Sequence, residues 1–569
     1  MRYLALATDF DGTAATQGGL SDCAARAIER LRTSGRRAIL VTGRRLDDLL
    51  RACPRASLFD LVVAENGAVL YDPHRREETA LAAHVPPRFA ERLRERGVTP
   101  LEVGRVLVAT SSSHRAVLLE VINELGLELQ LTFNRSAVMV LPAGVTKATG
   151  LKIALRQLGL SRHEVIAIGD GENDHSLLRY CECGVAVANA VESLRCGADL
   201  VTQQCNGRGL AELCDEIVAN DLERLGGTLE RHFLLVGTTS EGAAVSIPPY
   251  GRNILIAGPS GSGKSTLTAG LVERLTERAY QICIVDPEGD YVMLDGVVSL
   301  GTQQRAPSVN EALSILEDPA INLSINLLGL PLEDRPLFLS QLIPGLHAMR
   351  ARTGRPHWIV LDEAHHMLPQ PWGHVGSMLP QRLGETILVT VHPDHLAPEV
   401  LAPIDVAFAV GRSPEKTLSM FAHAADQHLS WAQGLTHTPG AVVAWFLSEG
   451  RAPFSMQPQP SRAHRIRHHR KYAEGNVREH SFYFRGPESR HNIKAHNLAI
   501  FVQIAAGIDE STWLFHLRRH DYSRWFREVI KDSELAGQSE RIENRTDLSS
   551  QQARELLLEL LSARYTLPQ

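Results

Sequence analysis

Residues 253–267 read NILIAGPSGSGKSTL. An apolar run, RNILIAG, enters a segment in which Gly258, Gly263, Lys264 and Ser265 keep the spacing G-x-x-x-x-G-K-[ST]. STLTAGLVERLTER then leaves it with helical periodicity. Strand, glycine-rich turn and helix in that order set backbone N–H groups at a helix N-terminus, where they can face phosphate oxygens. Gly258, Gly261 and Gly263 supply the turn. Lys264 is expected to reach the β- and γ-phosphates of ATP, Ser265 to ligate magnesium, and Thr266 to complete the loop.

Working outward, HWIVLDEAHHMLP (357–369) reads as a buried strand ending in Asp362 and Glu363. Asp362 is expected to support the magnesium ion and Glu363 to polarise the attacking water. ETILVTVHP (385–393) ends at Thr390 and His392, where a sensor of the γ-phosphate could stand. ICIVDPEGDYVML (282–294) ends at Asp286, with Glu288 and Asp290 in the loop that follows. Together these motifs make residues 232–450 resemble the HerA and FtsK class of P-loop ATPases. That resemblance implies ATP hydrolysis, assembly as a homo-oligomeric ring and action on DNA, with Arg412 the candidate arginine finger.

A second phosphate-handling pattern opens the chain. YLALATDFDGT (3–13) is apolar up to Asp9 and Asp11, as expected of a buried parallel strand ending in acid. RRAILVTGR (36–44) ends at Thr42, LFDLVVAENGA (58–68) at Glu65 and Asn66, and EVIAIGDGENDHSLL (164–178) at Asp170 and Asp174. Four strands that deliver polar groups to one sheet edge describe a site at the carboxyl ends of an open α/β sheet. The residue types suit phosphoryl chemistry, because a carboxylate can attack phosphorus and paired acids can hold magnesium.

These motifs resemble the haloacid dehalogenase superfamily of phosphatases over residues 1–215, in the branch with a cap after the third strand that includes sugar-phosphate and phosphoglycolate phosphatases. The resemblance implies Asp9 as nucleophile and Asp11 as general acid and base. It implies Thr42 and Lys147 as phosphate ligands, and Asp170 with Asp9 and the Asp11 carbonyl on magnesium, supported by Asn173 and Asp174. Ala148 and Thr149 separate Lys147 from Gly150, where many relatives join Lys and Gly directly.

At roughly 100 to 200 residues per domain, 569 residues imply three or four domains. A net charge of -6 shows no overall pull toward nucleic acid or anionic membrane. No apolar run reaches the roughly 18 to 20 residues that span a bilayer, so a cytoplasmic chain with no membrane partner is expected. The 8 cysteines form no CxxC pair, and Cys181, Cys183, Cys196, Cys205 and Cys214 read as thiols rather than a zinc site. SMQPQPSRAHRIRHHRKYAEG (455–475) reads as a linker and a basic patch of Arg462, Arg465, Arg467, Arg470 and Lys471. Phe482, Phe484, Trp513, Phe515, Trp525 and Phe526 suit a small helical core, and LSSQQARELLLELLSARY (548–565) an amphipathic helix.

The expected architecture is α/β throughout its first two parts. A Rossmann-like phosphatase domain spans 1–225 with a cap at about 80–141, a P-loop domain 230–455, and a mainly helical accessory domain 460–569. The leading reading is a two-site phosphohydrolase. Its magnesium-dependent phosphatase works on a phosphate ester through an aspartyl-phosphate, and its ATP-hydrolysing domain regulates the phosphatase or acts on nucleic acid. Alternatives are a DNA-translocating or DNA-processing motor, a bifunctional kinase/phosphatase, and an ATP-switched scaffold with vestigial phosphatase chemistry.

Overall fold

A computed structural model describes residues 2–225, 229–292, 294–368, 384–431, 441–461, 481–530 and 532–564. Its contacts divide the chain into two units. The first holds Met1–Ile284, Ser308–Leu323 and Leu332–Ser461; the second holds Val285–Pro307, Ser324–Pro331 and Arg462–Gln569.

The first unit opens with β1 (Ala5–Thr8), which is wholly buried. Ser21 caps α1 (Asp22–Thr33), and β2 (Arg37–Val41), β3 (Leu61–Ala64), β4 (Val69–Asp72) and β5 (Glu77–Ala80) follow. The chain then leaves this sheet for a cap of α2 (Pro87–Glu95), β6 (Leu101–Val103), β7 (Val108–Ser111), α3 (Arg115–Leu125), β8 (Leu129–Asn134) and β9 (Ala137–Pro142). The cap strands form an antiparallel sheet in the order β8-β9-β7-β6, with its own apolar core around Phe89, Leu93, Leu118 and Val140. These cap elements run from Pro87 to Pro142, and Ala80 belongs to the main sheet.

The chain returns as α4 (Lys147–Leu158), β10 (Val165–Gly169), β11 (Cys183–Ala186), β12 (Leu200–Val201) and α5 (Asn206–Asn220). The main sheet runs β12-β11-β10-β1-β2-β3-β4-β5, with β1 parallel to both β10 and β2. Central placement makes β1 apolar on both faces, and its carboxyl end opens into a crevice flanked by the ends of β2 and β10.

A second sheet includes β13 (Leu234–Thr239), β14 (Ala244–Ile247), β15 (Ile254–Ala257), β16 (Ile282–Asp286), β17 (Trp358–Leu361), β18 (Thr386–Thr390), β19 (Val406–Ala409), β20 (Val442–Phe446) and β21 (Phe454–Pro458), all in the first unit except the last two residues of β16. Among these strands the order is β14-β13-β21-β20-β19-β15-β18-β17-β16. The loop strand β15 lies between β18 and β19, parallel to both. Helix α6 (Lys264–Glu277) follows it, and α7 (Arg335–Thr353) precedes β17.

In the second unit, the hairpin β22 (Phe482–Phe484) and β23 (Ile493–Ala495) packs with α8 (Leu498–Gly507), α9 (Glu510–Arg518), α10 (Asp521–Glu528), α11 (Ser533–Glu543) and α12 (Ser550–Arg564). Phe482, Phe484, Phe501, Trp513, Tyr522, Trp525 and Phe526 share one core, closed by Leu557 and Leu561 of α12. The expected aromatic core is therefore present, except that Phe515 lies outside it. The basic patch, Arg462 to Lys471, lies outside the described residues. Among the described residues, no helix is long and apolar enough to cross a membrane.

Gly150 explains why Lys147 stands three residues ahead of a glycine. A Cβ there would lie 2.5 Å from Val63 Cγ1 and 2.6 Å from the Gly67 Cα, so α4 lies against the end of β3 only because position 150 has no side chain. Gly150→Val should destabilise the first domain by about 1–3 kcal/mol, read as a lower urea midpoint; an unchanged midpoint would refute this packing role.

Candidate functional site

Asp9 follows β1 at the crevice, and Lys147 is the first residue of α4, after the Thr146 cap. Lys147 Nζ donates to Asp9 Oδ1 at 2.6 Å and to Asp174 Oδ1 at 2.6 Å, and all three side chains are buried. The other Asp174 oxygen accepts the N–H groups of Asp170 at 3.0 Å and Gly171 at 2.9 Å, tying the acidic loop after β10 into shape. Asp9, Asp170 and Asp174 bring carboxylate oxygens within 4.8 Å of one another. Thr42 is buried at the end of β2 and accepts the Arg44 N–H at 3.1 Å. Asn173 donates to Asn66 at 3.0 Å, joining the strand ends behind the crevice.

Burial and the neighbouring carboxylates push the Asp9 carboxyl well up, against the pull of Lys147. Burial and Asp174 likewise push Asp170 up to about 6, while Arg135 and Lys147 oppose the rise. Lys147 is held raised by its two acidic partners despite its burial. Three clustered carboxylates thus face two cations, Lys147 and Arg135. That surplus of hard oxygen donors fits a magnesium ion, which would be held by Asp9, Asp170 and Asp174 and would turn the net negative charge of the group positive, as an incoming phosphate requires.

Two arginines absent from the sequence expectations complete the rim. Arg44 donates through Nε to Asp11 Oδ2 at 2.7 Å and through Nη2 to the other oxygen, a fork-to-fork pair lying over the Phe10 ring. Arg135, at the tip of the β8–β9 hairpin, reaches from the cap to Asp170, and its N–H donates to Glu172 at 3.0 Å. Arg44 carried a signal, standing two residues after Thr42 on the strand-end loop. Arg135 carried none, because only the folding-back of the cap brings it to the crevice.

Glu65 takes a different place from its sequence neighbours. Its carboxylate accepts the N–H groups of Arg105 at 2.8 Å, Val106 at 2.8 Å and Leu107 at 3.1 Å. It therefore fastens the turn between β6 and β7 of the cap to the main sheet.

The glycine-rich loop lies at the end of β15. A Cβ on Gly258 would stand 2.3 Å from the Val410 carbonyl oxygen, so the loop needs glycine at its base. Gly263 has a left-handed φ of 110° at the N-cap of α6. Lys264 and Ser265 are buried at the helix start, Gly261 and Thr266 exposed, and Lys264 Nζ donates to the Pro259 carbonyl at 3.3 Å. Asp362 and Glu363 are buried at the end of β17, and Asp362 Oδ1 accepts the Glu363 N–H at 2.8 Å. Thr390 stands opposite Ala257 on the neighbouring strand.

Between these acids and Thr390 lies His365, which the sequence reading passed over. Its Nδ1 is 3.1 Å from Thr390 Oγ1 and 3.5 Å from Glu363 Oε2. Burial and the nearby His366, His392 and His395 rings push it down to about 3, so it is neutral at physiological pH. His392 is exposed beyond the strand end. In the second unit, the Asp286 carboxylate accepts the N–H groups of Gly289, Asp290 and Tyr291 at 2.8, 3.1 and 2.9 Å, holding the DPEGDY loop closed on itself.

Residues 6–95 and 103–213 match the family model for haloacid dehalogenase-like hydrolases, and residues 229–351 that for the central domain of helicase HerA. The chain is 32% identical over 217 residues to a phosphoglycolate phosphatase of Archaeoglobus fulgidus, covering 37% of this chain and 94% of the relative. A phosphoglycolate phosphatase of Methanothermobacter thermautotrophicus is 29% identical over 214 residues, covering 37% and 96%. A haloacid dehalogenase-like hydrolase structure from Bacteroides thetaiotaomicron aligns at 22% identity and a TM-score of 0.34, covering 38% of this chain and 99% of its own.

Glu65→Ala would strand three N–H groups at the cap turn. A loss of about 1–3 kcal/mol is expected in urea unfolding, with faster proteolysis at residues 104–107. Wild-type protease resistance in this variant would show that Glu65 does not anchor the cap.

Proposed function

The chain belongs to the haloacid dehalogenase-like hydrolases through its N-terminal domain, and we propose that it is a two-site phosphohydrolase whose ATP-binding centre regulates a phosphatase acting on a small anionic phosphate monoester. The observation that carries the phosphatase assignment is the buried Lys147 held between Asp9 and Asp174. An ammonium there would keep Asp9 in place as a nucleophile, and Thr42 and Lys147 would take phosphate oxygens. Magnesium, when bound by Asp9, Asp170 and Asp174, would neutralise phosphoryl charge.

Asp9 Oδ attacks phosphorus, the P–O bond to the ester oxygen breaks, and Asp11 as general acid passes a proton to that oxygen. Asp11 then takes a proton from water as the water attacks the aspartyl-phosphate, releasing inorganic phosphate and restoring Asp9. Arg44 positions Asp11 between these steps. Arg44 and Arg135, paired with Asp11 and Asp170, add positive charge at the mouth, which would suit a substrate carrying a carboxylate beside its phosphate. The naming of the relatives as phosphoglycolate phosphatases agrees with that chemistry.

For the second centre, the loop of Gly258, Gly261, Gly263, Lys264, Ser265 and Thr266 would cradle ATP, and Ser265 and Asp362 would support its magnesium. Glu363 would orient water, with neutral His365 linking it to Thr390. Coupling has a physical route inside the first unit. His163 Nε2 lies 2.7 Å from the Arg278 carbonyl, just past the end of α6, and Arg162 donates to the same oxygen. His163 Nδ1 lies 2.6 Å from Glu182, and its ring stacks on Tyr280 at 3.8 Å. Arg355 pairs with Glu164 at 3.2 Å. The turn bearing Arg162, His163 and Glu164 leads directly into β10 and so to Asp170.

Asp9→Asn should abolish phosphoglycolate hydrolysis and spare ATP hydrolysis, while Lys264→Ala should do the reverse and remove any effect of ATP on the phosphatase. His163→Ala should keep both basal rates and lose that ATP effect. Loss of both activities in either of the first two variants would refute separate sites, and an intact ATP effect in the third would refute the route.

The HerA match favours a second reading, in which ATP turnover acts on DNA. It predicts a DNA-stimulated ATPase rate that falls with added salt; a rate indifferent to DNA at low salt would exclude it.

A further inference from the structure

Outside the carboxylate crevice, two further groups of three metal-donor side chains stand together among the described residues: His163 with Glu182 and His232, and His392 with Asp394 and His395. Their bonding differs. His163 has Glu182 on one ring nitrogen and the Arg278 carbonyl on the other, while His232 Nε2 lies 2.8 Å from the Glu182 carbonyl. Those donors are already satisfied, and the group is a structural network.

The side chains of His392, Asp394 and His395 make no hydrogen bond among the described residues, and all three are exposed. They stand on the 3-10 turn Pro393–His395 that follows β18, with His392 as its N-cap. Side chains at i and i+3 eclipse on such a turn, and Pro393 locks its first residue. The His392 and His395 rings accordingly stack, with centroids 4.6 Å apart and planes 20° from parallel. Donor atoms of the two rings and of Asp394 lie within 4.8 Å of one another. His365 stands edge-on to His392 at 5.7 Å, and His366 lies 4.1 Å from His365.

The geometry points to a binding site for a divalent transition-metal ion, of the zinc class, on His392, Asp394 and His395. Two imidazoles and one carboxylate form a borderline donor set that suits such an ion, whereas magnesium prefers oxygen donors throughout. Three protein ligands leave a coordination position open to water or a further group. The site begins two residues beyond Thr390, whose carbonyl accepts the Gly258 N–H at 3.3 Å, and it gives His392 a role distinct from a nucleotide sensor. It does not depend on the chain hydrolysing ATP.

The test uses the full chain without an affinity tag, stripped with chelator and titrated with Zn2+ in excess Mg2+ against a chromophoric zinc indicator. Wild type should hold a zinc equivalent that His392→Ala and His395→Ala lose, that Asp394→Asn weakens, and that Asp9→Asn and His163→Ala retain. Unchanged thermal melting of the metal-free variants would show that the loss is not unfolding. Equal zinc stoichiometry in wild type and His392→Ala, or a loss confined to Asp9→Asn, would overturn the site.

Discussion

The N-terminal crevice depends on one ammonium group. Lys147 is buried between Asp9 and Asp174, in a setting where an unpaired charge would cost several kcal/mol. Without it, three carboxylates would share a crevice with only Arg135 as counter-charge. The surrounding structure serves that placement. Thr146 starts the helix with Lys147 as its first residue, Gly150 lets the helix lie against the β3 end, and Asp174 is held by the backbone of its own loop.

The same logic separates the roles of acids that look alike in sequence. Asp9, Asp170 and Asp174 converge because β1 and β10 are parallel neighbours, so their ends fall side by side. Glu65 also ends a strand of that sheet, yet its oxygens accept backbone N–H groups of the cap and are committed to structure. Asp286 is committed in the same way to its own loop. A strand-end acid thus keeps an oxygen for the crevice only where backbone amides do not take both of its oxygens.

The phosphate loop shows a comparable division. At the strand ends, buried Glu363 and Thr390 and half-buried His365 form a contiguous polar set beside β15, with the imidazole pushed down by burial and by other imidazoles. Beyond the strand end, His392 and His395 are exposed and eclipsed on one turn. Burial and neighbouring charge separate histidines on the adjacent loops that follow β17 and β18.

Sequence by itself determined the two α/β sheets, the glycine-rich loop and the order of the acidic strand ends, because apolar runs that stop at acid and glycine spacings are local properties. It also carried Asp9, Lys147, Asp170 and Asp174 as a set, through motif order. Arg135, the cap anchorage by Glu65 and the His163–Arg278 contact were decided only in three dimensions, since each joins segments with no local pattern in common. Arg135 belongs to the cap and Asp170 to the main sheet, and His163 meets a carbonyl 115 residues away. Such pairings follow from how sheets close and helices end in space, and no periodicity along the chain records them.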